Sequence, residues 1–276
     1  MSPIATPLPS RSPGLLEMKP ARVLVVAGRD SSGRAGLAAD GEALRLFGAE
    51  PLCVVSTETV QEGLRVRSVR PRPVADWVAQ VRSLEAEASV WKSGLLYGAE
   101  AVAAFARLAA ELLGDRPLVF DPVIAATGGE RFLDEAGVAC LREVLLPTGP
   151  ILTPNLGEAA ELCGMEKELL QTDFDSRIEA AERLLEMGAV AVLLKGGHGT
   201  EDPVRDLVLE RGSEPLWRSH ERVRGGSMRG SGCRYGSAVA ALLALGQPLS
   251  EAARRAGEEL VKWIRRAKFC AAEGSR

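Results

Sequence analysis

The sequence predicts an α/β protein in which a central, mostly parallel sheet is covered by helices on both faces, a three-layer α/β/α arrangement. Three observations predict it. Six short runs are almost wholly apolar, as strands buried on both faces require. The stretches between them carry apolar residues at helical spacing. The two kinds alternate along the chain, which is the pattern of successive βαβ units.

Taken in order, the apolar runs are Arg22 to Ala27, Leu52 to Ser56, Ser89 to Trp91, Leu118 to Phe120, Ile151 to Thr153 and Val190 to Leu194. Between the second and third, Val74, Trp77, Val78, Val81 and Leu84 share one helix face. Ser176 and Glu179 have capping-box spacing ahead of Ala181, Leu184 and Leu185, so a helix is expected to start there and feed the strand that ends at Lys195. Val204 to Leu209 and Pro215 to Val223 are more polar and read as a partly exposed, antiparallel pair. Two helices close the chain. One begins near Gly232 and runs through Val239 and Leu243; the other is capped by Ser250 and carries Leu260, Val261 and Ile264. Residues 1–20 hold five prolines (Pro3, Pro7, Pro9, Pro13, Pro20), a composition that reads as a flexible tail, and residues 21–276 read as a single domain.

Composition excludes several functions. Lys plus Arg number 34 and Asp plus Glu 37, a formal charge of −3 that offers nucleic acid no general attraction. The five cysteines (Cys53, Cys140, Cys163, Cys233, Cys270) are scattered and never spaced Cys-x-x-Cys, against a disulfide framework or zinc site and in favour of a reducing, cytoplasmic setting. With only His198 and His220, a histidine-based metal site is not expected, which leaves a hard ion such as magnesium held by carboxylates and phosphates. No apolar run approaches the roughly 20 residues that span a bilayer, so no membrane partner is expected.

In an open parallel sheet ligands bind beyond the carboxyl ends of the strands, and five segments fall there. Gly28 to Gly36 is a glycine-rich turn entering a helix; its spacing fits neither the dinucleotide nor the P-loop pattern, and alone it reads as a tight strand-to-helix connection. Gly225 to Cys233 is a second such turn, leading into an apolar helix whose first amides would stabilise charge on a transferring phosphoryl group. Cys233 falls in the first helical turn, where the helix dipole with Arg229 and Arg234 is expected to favour the thiolate below its usual pKa of ~8.5; a buried, inert cysteine is the alternative. Asp121 follows a strand directly, as a site carboxylate or a turn former. Asn155 and Glu158 follow another, as site residues or as a capping box. Lys195-Gly196-Gly197-His198 adds a cation beside a flexible turn.

In their order along the chain these segments resemble one family. They are Ala27 to Gly33 with Ala35, Gly36 and Asp40; Thr59-Val60-Gln61; Lys92 to Leu96; Asp121-Pro122-Val123; Thr153 to Leu156 with Glu158 and Ala159; Lys195 to His198; and Gly230 to Cys233. The sequence resembles the hydroxymethylpyrimidine/phosphomethylpyrimidine kinases of thiamine biosynthesis, within the ribokinase-like superfamily, from about Val23 to Ile264. The resemblance implies ATP-dependent phosphorylation of a small molecule, with ATP and Mg2+ as cofactors and a homodimeric assembly. It also implies roles. Gln61 reads the aminopyrimidine edge, Asp30 holds the substrate hydroxymethyl, and Gly28 and Val123 line the pocket. Asp121 and Glu158 position magnesium, while Asn155, Lys195 and Thr127 lie along the nucleotide phosphates. Gly230, Ser231, Gly232 and Cys233 form the anion hole, and Cys233 accepts the proton, where most ribokinase-like sugar kinases place an aspartate.

The chain departs from the family pattern by arginine at three positions, Arg29, Arg34 and Arg229. A guanidinium near a phosphate site would bind a phosphorylated substrate bidentately, whereas one inside a small aromatic pocket would obstruct it. Two other readings compete. A pyridoxal-type kinase has the same fold and chemistry, and Gln61 argues against it. A degenerate homologue would bind without turnover, and retention of Asp121, Asn155, Glu158 and the Gly230 to Cys233 turn argues against that.

Overall fold

The computed structural model of the chain describes residues 20–62, 65–226 and 228–273. The tail expected over residues 1–20 lies, apart from Pro20, outside the described residues. Strands occupy β1 (Arg22–Asp30), β2 (Glu50–Glu62), β3 (Arg65–Pro71), β4 (Val90–Ser93), β5 (Leu118–Phe120), β6 (Ile151–Leu152), β7 (Ala191–Leu194), β8 (Val204–Glu210) and β9 (Leu216–His220). They form one sheet in the order β3-β2-β1-β4-β5-β6-β7-β8-β9. From β2 to β7 every neighbouring pair is parallel, while β3, β8 and β9 join antiparallel at the two edges.

Helices α1 (Leu37–Leu46), α2 (Val74–Leu84), α3 (Gly98–Leu112), α4 (Glu135–Cys140), α5 (Leu156–Cys163), α6 (Lys167–Thr172), α7 (Phe174–Glu186), α8 (Ser231–Ala244) and α9 (Leu249–Glu273) complete the three layers. The period-2 geometry of a strand sorts the apolar residues between two cores. Val23, Val25 and Ala27 of β1 pack with α1, α8 and α9, whereas Leu24 and Val26 pack with α2 and α3. The alternation repeats in β7, where Ala191 and Leu193 face one core and Val192 and Leu194 the other. Burial on both faces is why these strands contain so few polar residues.

The structure departs from the sequence reading at three places. Strand β2 continues to Glu62 rather than ending at Ser56, and β3, absent from the expectation, pairs with it. None of β3 is fully buried, so Arg65, Arg67 and Arg70 break any apolar run that would mark it as a strand. Helix α7 is capped by Asp173, whose carboxylate accepts from the Ser176 amide at 2.7 Å and the Ser176 hydroxyl at 2.6 Å. Ser176 and Glu179 are therefore no capping box. Helix α9 starts at Leu249, which places Ser250 inside its first turn instead of at the cap.

Candidate active site

The carboxyl ends of the parallel strands open into a cavity of about 790 Å³. Every residue singled out in the sequence for a site role lines it. The cavity has two walls joined by a floor of charged groups.

One wall is the first glycine-rich turn. The β1–β2 register shifts between Ala27 and Gly28, a bulge beyond which Gly28, Arg29 and Asp30 pair with Thr57, Glu58 and Thr59. A Cβ on Gly28 would lie 2.7 Å from Leu95 Cδ2, so the backbone there is closely covered. Asp30, almost fully buried, accepts from the Ser32 amide at 3.0 Å and the Ser32 hydroxyl at 2.7 Å. It also pairs with Arg229 Nη2 at 2.9 Å. Gln61, on the part of β2 beyond Ser56, donates from Nε2 to Thr59 Oγ1 at 2.9 Å. Val123 and Thr127, from the segment after β5, also line the cavity.

The second turn closes against the first. Gly230 is left-handed, with φ +73°, and a Cβ there would come within 2.5 Å of the Arg34 carbonyl oxygen. Only glycine allows this approach without displacing the neighbouring turn. The amides of Ser231, Gly232 and Cys233 open α8 and have no partner within the helix, so they carry the positive end of its dipole into the cavity.

Between the walls lie the charges. Lys195 donates to Asp121 Oδ1 at 2.9 Å, and Thr153 donates to the same oxygen at 3.2 Å. A Cβ on Gly232 would lie 3.1 Å from Lys195 Nζ and 3.2 Å from Asp121 Oδ2, so the anion turn sits directly over this pair. Asn155 and Glu158 form a reciprocal capping box: Asn155 Oδ1 accepts from Gly157 and Glu158 at 2.9 and 3.0 Å, and Glu158 Oε2 accepts from the Asn155 amide at 2.8 Å. The cap does not remove them from the cavity, which both still line. Burial pushes the Glu158 carboxyl up to about 7, with Lys195 opposing and Asp121 adding to the rise. Burial also works against the Lys195 ammonium, but Asp121 and Glu158 outweigh it and hold the amine protonated.

Cys233 does not carry the expected thiolate. Burial pushes its thiol up to about 11, and the Asp40 carboxylate adds to the rise. The two arginines expected to oppose this are committed elsewhere. Arg229 pairs with Asp30, and Arg234 donates to Glu42 Oε2 at 2.5 Å and to the Arg34 carbonyl at 3.1 Å.

Asp40 and Lys92 belong to a group that the sequence reading left without a role. Lys92 Nζ donates to Asp40 Oδ1 at 2.8 Å with both side chains fully buried, and Ser237, one turn beyond Cys233 on α8, donates to the same oxygen at 2.8 Å. Asp40 Oδ2 is buried without a hydrogen-bond partner. A lysine inside an otherwise apolar strand, Val90-Trp91-Lys92, was the signal that could have found the group. Of the three arginines, Arg229 alone lines the cavity; Arg29 is exposed on Glu58, and Arg34 is exposed outside the cavity.

A closely covered glycine-rich wall, a turn lined by free helix amides and a carboxylate–lysine floor at the strand ends suit phosphoryl transfer, and the class is that of the ribokinase-like phosphotransferases. The sequence profile of the phosphomethylpyrimidine kinases matches residues 30–274. The chain belongs to that family.

Relatives agree. A hydroxymethylpyrimidine/phosphomethylpyrimidine kinase of Streptomyces coelicolor is 37% identical over 241 residues, covering 87% of each chain. The thiamine biosynthesis bifunctional protein ThiED of Geobacter sulfurreducens is 36% identical over 249 residues, 89% of this chain; the match spans about half of that longer protein, 49%. Among solved structures, the ADP complex of Bacillus subtilis pyridoxal kinase superposes with a TM-score of 0.79 at 27% identity, covering 87% of this chain and 90% of the other.

Proposed function

We propose that the chain, as a single kinase domain over residues 21–276, transfers the γ-phosphoryl group of ATP to 4-amino-5-hydroxymethyl-2-methylpyrimidine, to its monophosphate, or to both, as a step in thiamine biosynthesis. The observation that carries the reading is the closure of the Gly230 to Cys233 turn on the Asp30 wall, which brings an acceptor site and an anion hole into one cavity. In that cavity the pyrimidine lies against Gly28 and Val123 with its amino edge at Gln61 and its hydroxymethyl group at Asp30. The nucleotide phosphates run along Asn155, Thr127 and Lys195 to the amides of Ser231, Gly232 and Cys233. The acceptor oxygen attacks the γ-phosphorus in line, the bond to the β,γ-bridging oxygen breaks, and ADP leaves. Cys233 accepts the acceptor's proton through the thiolate fraction of its population.

Two converging carboxylates fit a magnesium ion. Asp121 accepts from Lys195, and Glu158, raised by burial with Asp121 adding to the rise, lines the same cavity; two such carboxylates favour either a proton or a divalent cation. Among the described residues no cluster of three or more acidic, histidine or cysteine ligands exists, so a magnesium ion held by Asp121 and Glu158 would need phosphate and water oxygens as its remaining ligands, as is usual for this ion. An ion held there would supply positive charge against the phosphates of the nucleotide.

The fold likeness to pyridoxal kinase favours a second reading, phosphorylation of pyridoxal. ATP consumption by purified protein with magnesium, comparing hydroxymethylpyrimidine, its monophosphate, pyridoxal and no acceptor, tests both. Turnover with either pyrimidine is expected; turnover with pyridoxal alone would replace the first reading by the second, and silence in folded protein would overturn both.

A further inference from the structure

Building on that activity, we infer that Arg229 fits this site to a phosphorylated acceptor, leaving Asp30 to bind the acceptor's own phosphate when the pyrimidine monophosphate is the substrate. Arg229 immediately precedes the anion turn, and its guanidinium crosses to the acceptor wall, where Nη2 lies 2.9 Å from Asp30 Oδ2. The side chains are 13% and 2% exposed, and both residues line the cavity. The pair therefore stands where an acceptor group must meet the transferring phosphoryl.

The charge arrangement picks out this residue. The other lysines and arginines lining the cavity are Lys167, Lys195 and Arg222. Lys195 is engaged by Asp121, Lys167 lies against Gly157 at the start of α5, and Arg222 donates to the carbonyls of Gly197, Gly199 and Glu201. All three belong to the β6–β7 side. Lys92 is fully buried on Asp40. Among the described residues that line the cavity, Arg229 is thus the cation that reaches Asp30.

An alcohol acceptor brings no charge to this wall. A monophosphate acceptor sets a dianion beside the γ-phosphoryl group, and like charges at such separation repel strongly in a poorly solvated cleft. A guanidinium presents a planar fork that matches phosphate oxygens bidentately. Moving from Asp30 to the phosphate exchanges one anionic partner for another, so the guanidinium is never left buried and uncompensated. Asp30 keeps the Ser32 amide and hydroxyl after the exchange and stays in place. With the alcohol bound, the ion pair remains closed.

The test is kcat/KM for hydroxymethylpyrimidine and for its monophosphate in the wild type, Arg229→Gln and Arg229→Lys, with melting temperatures to confirm folding. The monophosphate-to-alcohol ratio is expected to fall about tenfold or more in Arg229→Gln, chiefly through the KM of the monophosphate, as loss of a bidentate charged contact predicts. Arg229→Lys, which keeps the charge without the fork, is expected to lie between. If Arg229→Gln does not fold, the lysine variant reads the same ratio. Turnover of both acceptors by the wild type with a ratio unchanged within twofold in the folded variants would overturn the role of Arg229 alone. Silence of the wild type on both acceptors would instead overturn the activity on which it rests.

Discussion

Lys92 and Asp40 are both fully buried, 2.8 Å apart, with Ser237 as the third member. Burial raises the Asp40 carboxyl in opposition to Lys92 and Ser237. Removing one partner strands a charge in the core, which costs about 3–5 kcal/mol, whereas an apolar replacement of both is far milder. Lys92→Met is therefore expected to lose stability in that range in urea unfolding, and Lys92→Met with Asp40→Leu to recover most of it. Equal losses in the single and double variants would show that packing, not charge, sets the cost. Cys233 yields a prediction of the opposite kind. Its thiol is protonated below about 11, so the base form grows as pH rises. Turnover under conditions where chemistry is limiting is expected to climb about tenfold per unit between pH 7 and 9, and Cys233→Ala is expected to abolish that slope while lowering kcat more than it changes KM. A flat profile in the wild type would remove the thiolate from the mechanism. The sequence located Cys233 but misjudged its ionisation, because the partners of Arg229 and Arg234 lie 199 and 192 positions away. Nothing local to the turn reveals that those charges are already spent.

At the scale of elements, α8 and the turn after β1 depend on one another. Gly36, with φ +59°, would place a Cβ 2.1 Å from the Gly28 carbonyl, and Gly230 would place one 2.5 Å from that of Arg34. Gly230→Ala forces a left-handed residue and a collision with backbone together, and backbone strain of this type costs about 1–3 kcal/mol. It is expected to lower kcat/KM for every acceptor while displacing the anion turn, with a melting temperature a few degrees lower; wild-type kinetics would show that the turn tolerates movement. Strands and helices were legible where burial imposes a pattern. The apolar runs that became β1, β5 and β7 could hardly be anything else. Strand β3 was not legible, since a partly exposed edge strand with arginine at three of its positions carries no core signature, and the extension of β2 that presents Gln61 shares the problem. The caps failed for a similar reason: Asp173 and Ser176 both suit the start of α7, and the choice rests on geometry that spacing alone does not contain.

For the whole molecule, the alternation of burial between two cores explains why the three layers could be read from composition and period. The convergence of the site residues was legible too, since the carboxyl ends of parallel strands share one edge of the sheet. What was hidden is how late in the chain that edge becomes complete. The counter-charge of Asp30 comes from Arg229, and the hydroxyl that steadies Asp40 comes from Ser237, 197 positions on. A ribosome making this protein therefore releases the Asp30 turn, Lys92 and Lys195, and Asp121 and Glu158 before the turn that closes over them. Until α8 emerges, the nascent chain holds acidic groups whose final partners have not been synthesised, and the cavity is completed by the last two helices rather than growing with length.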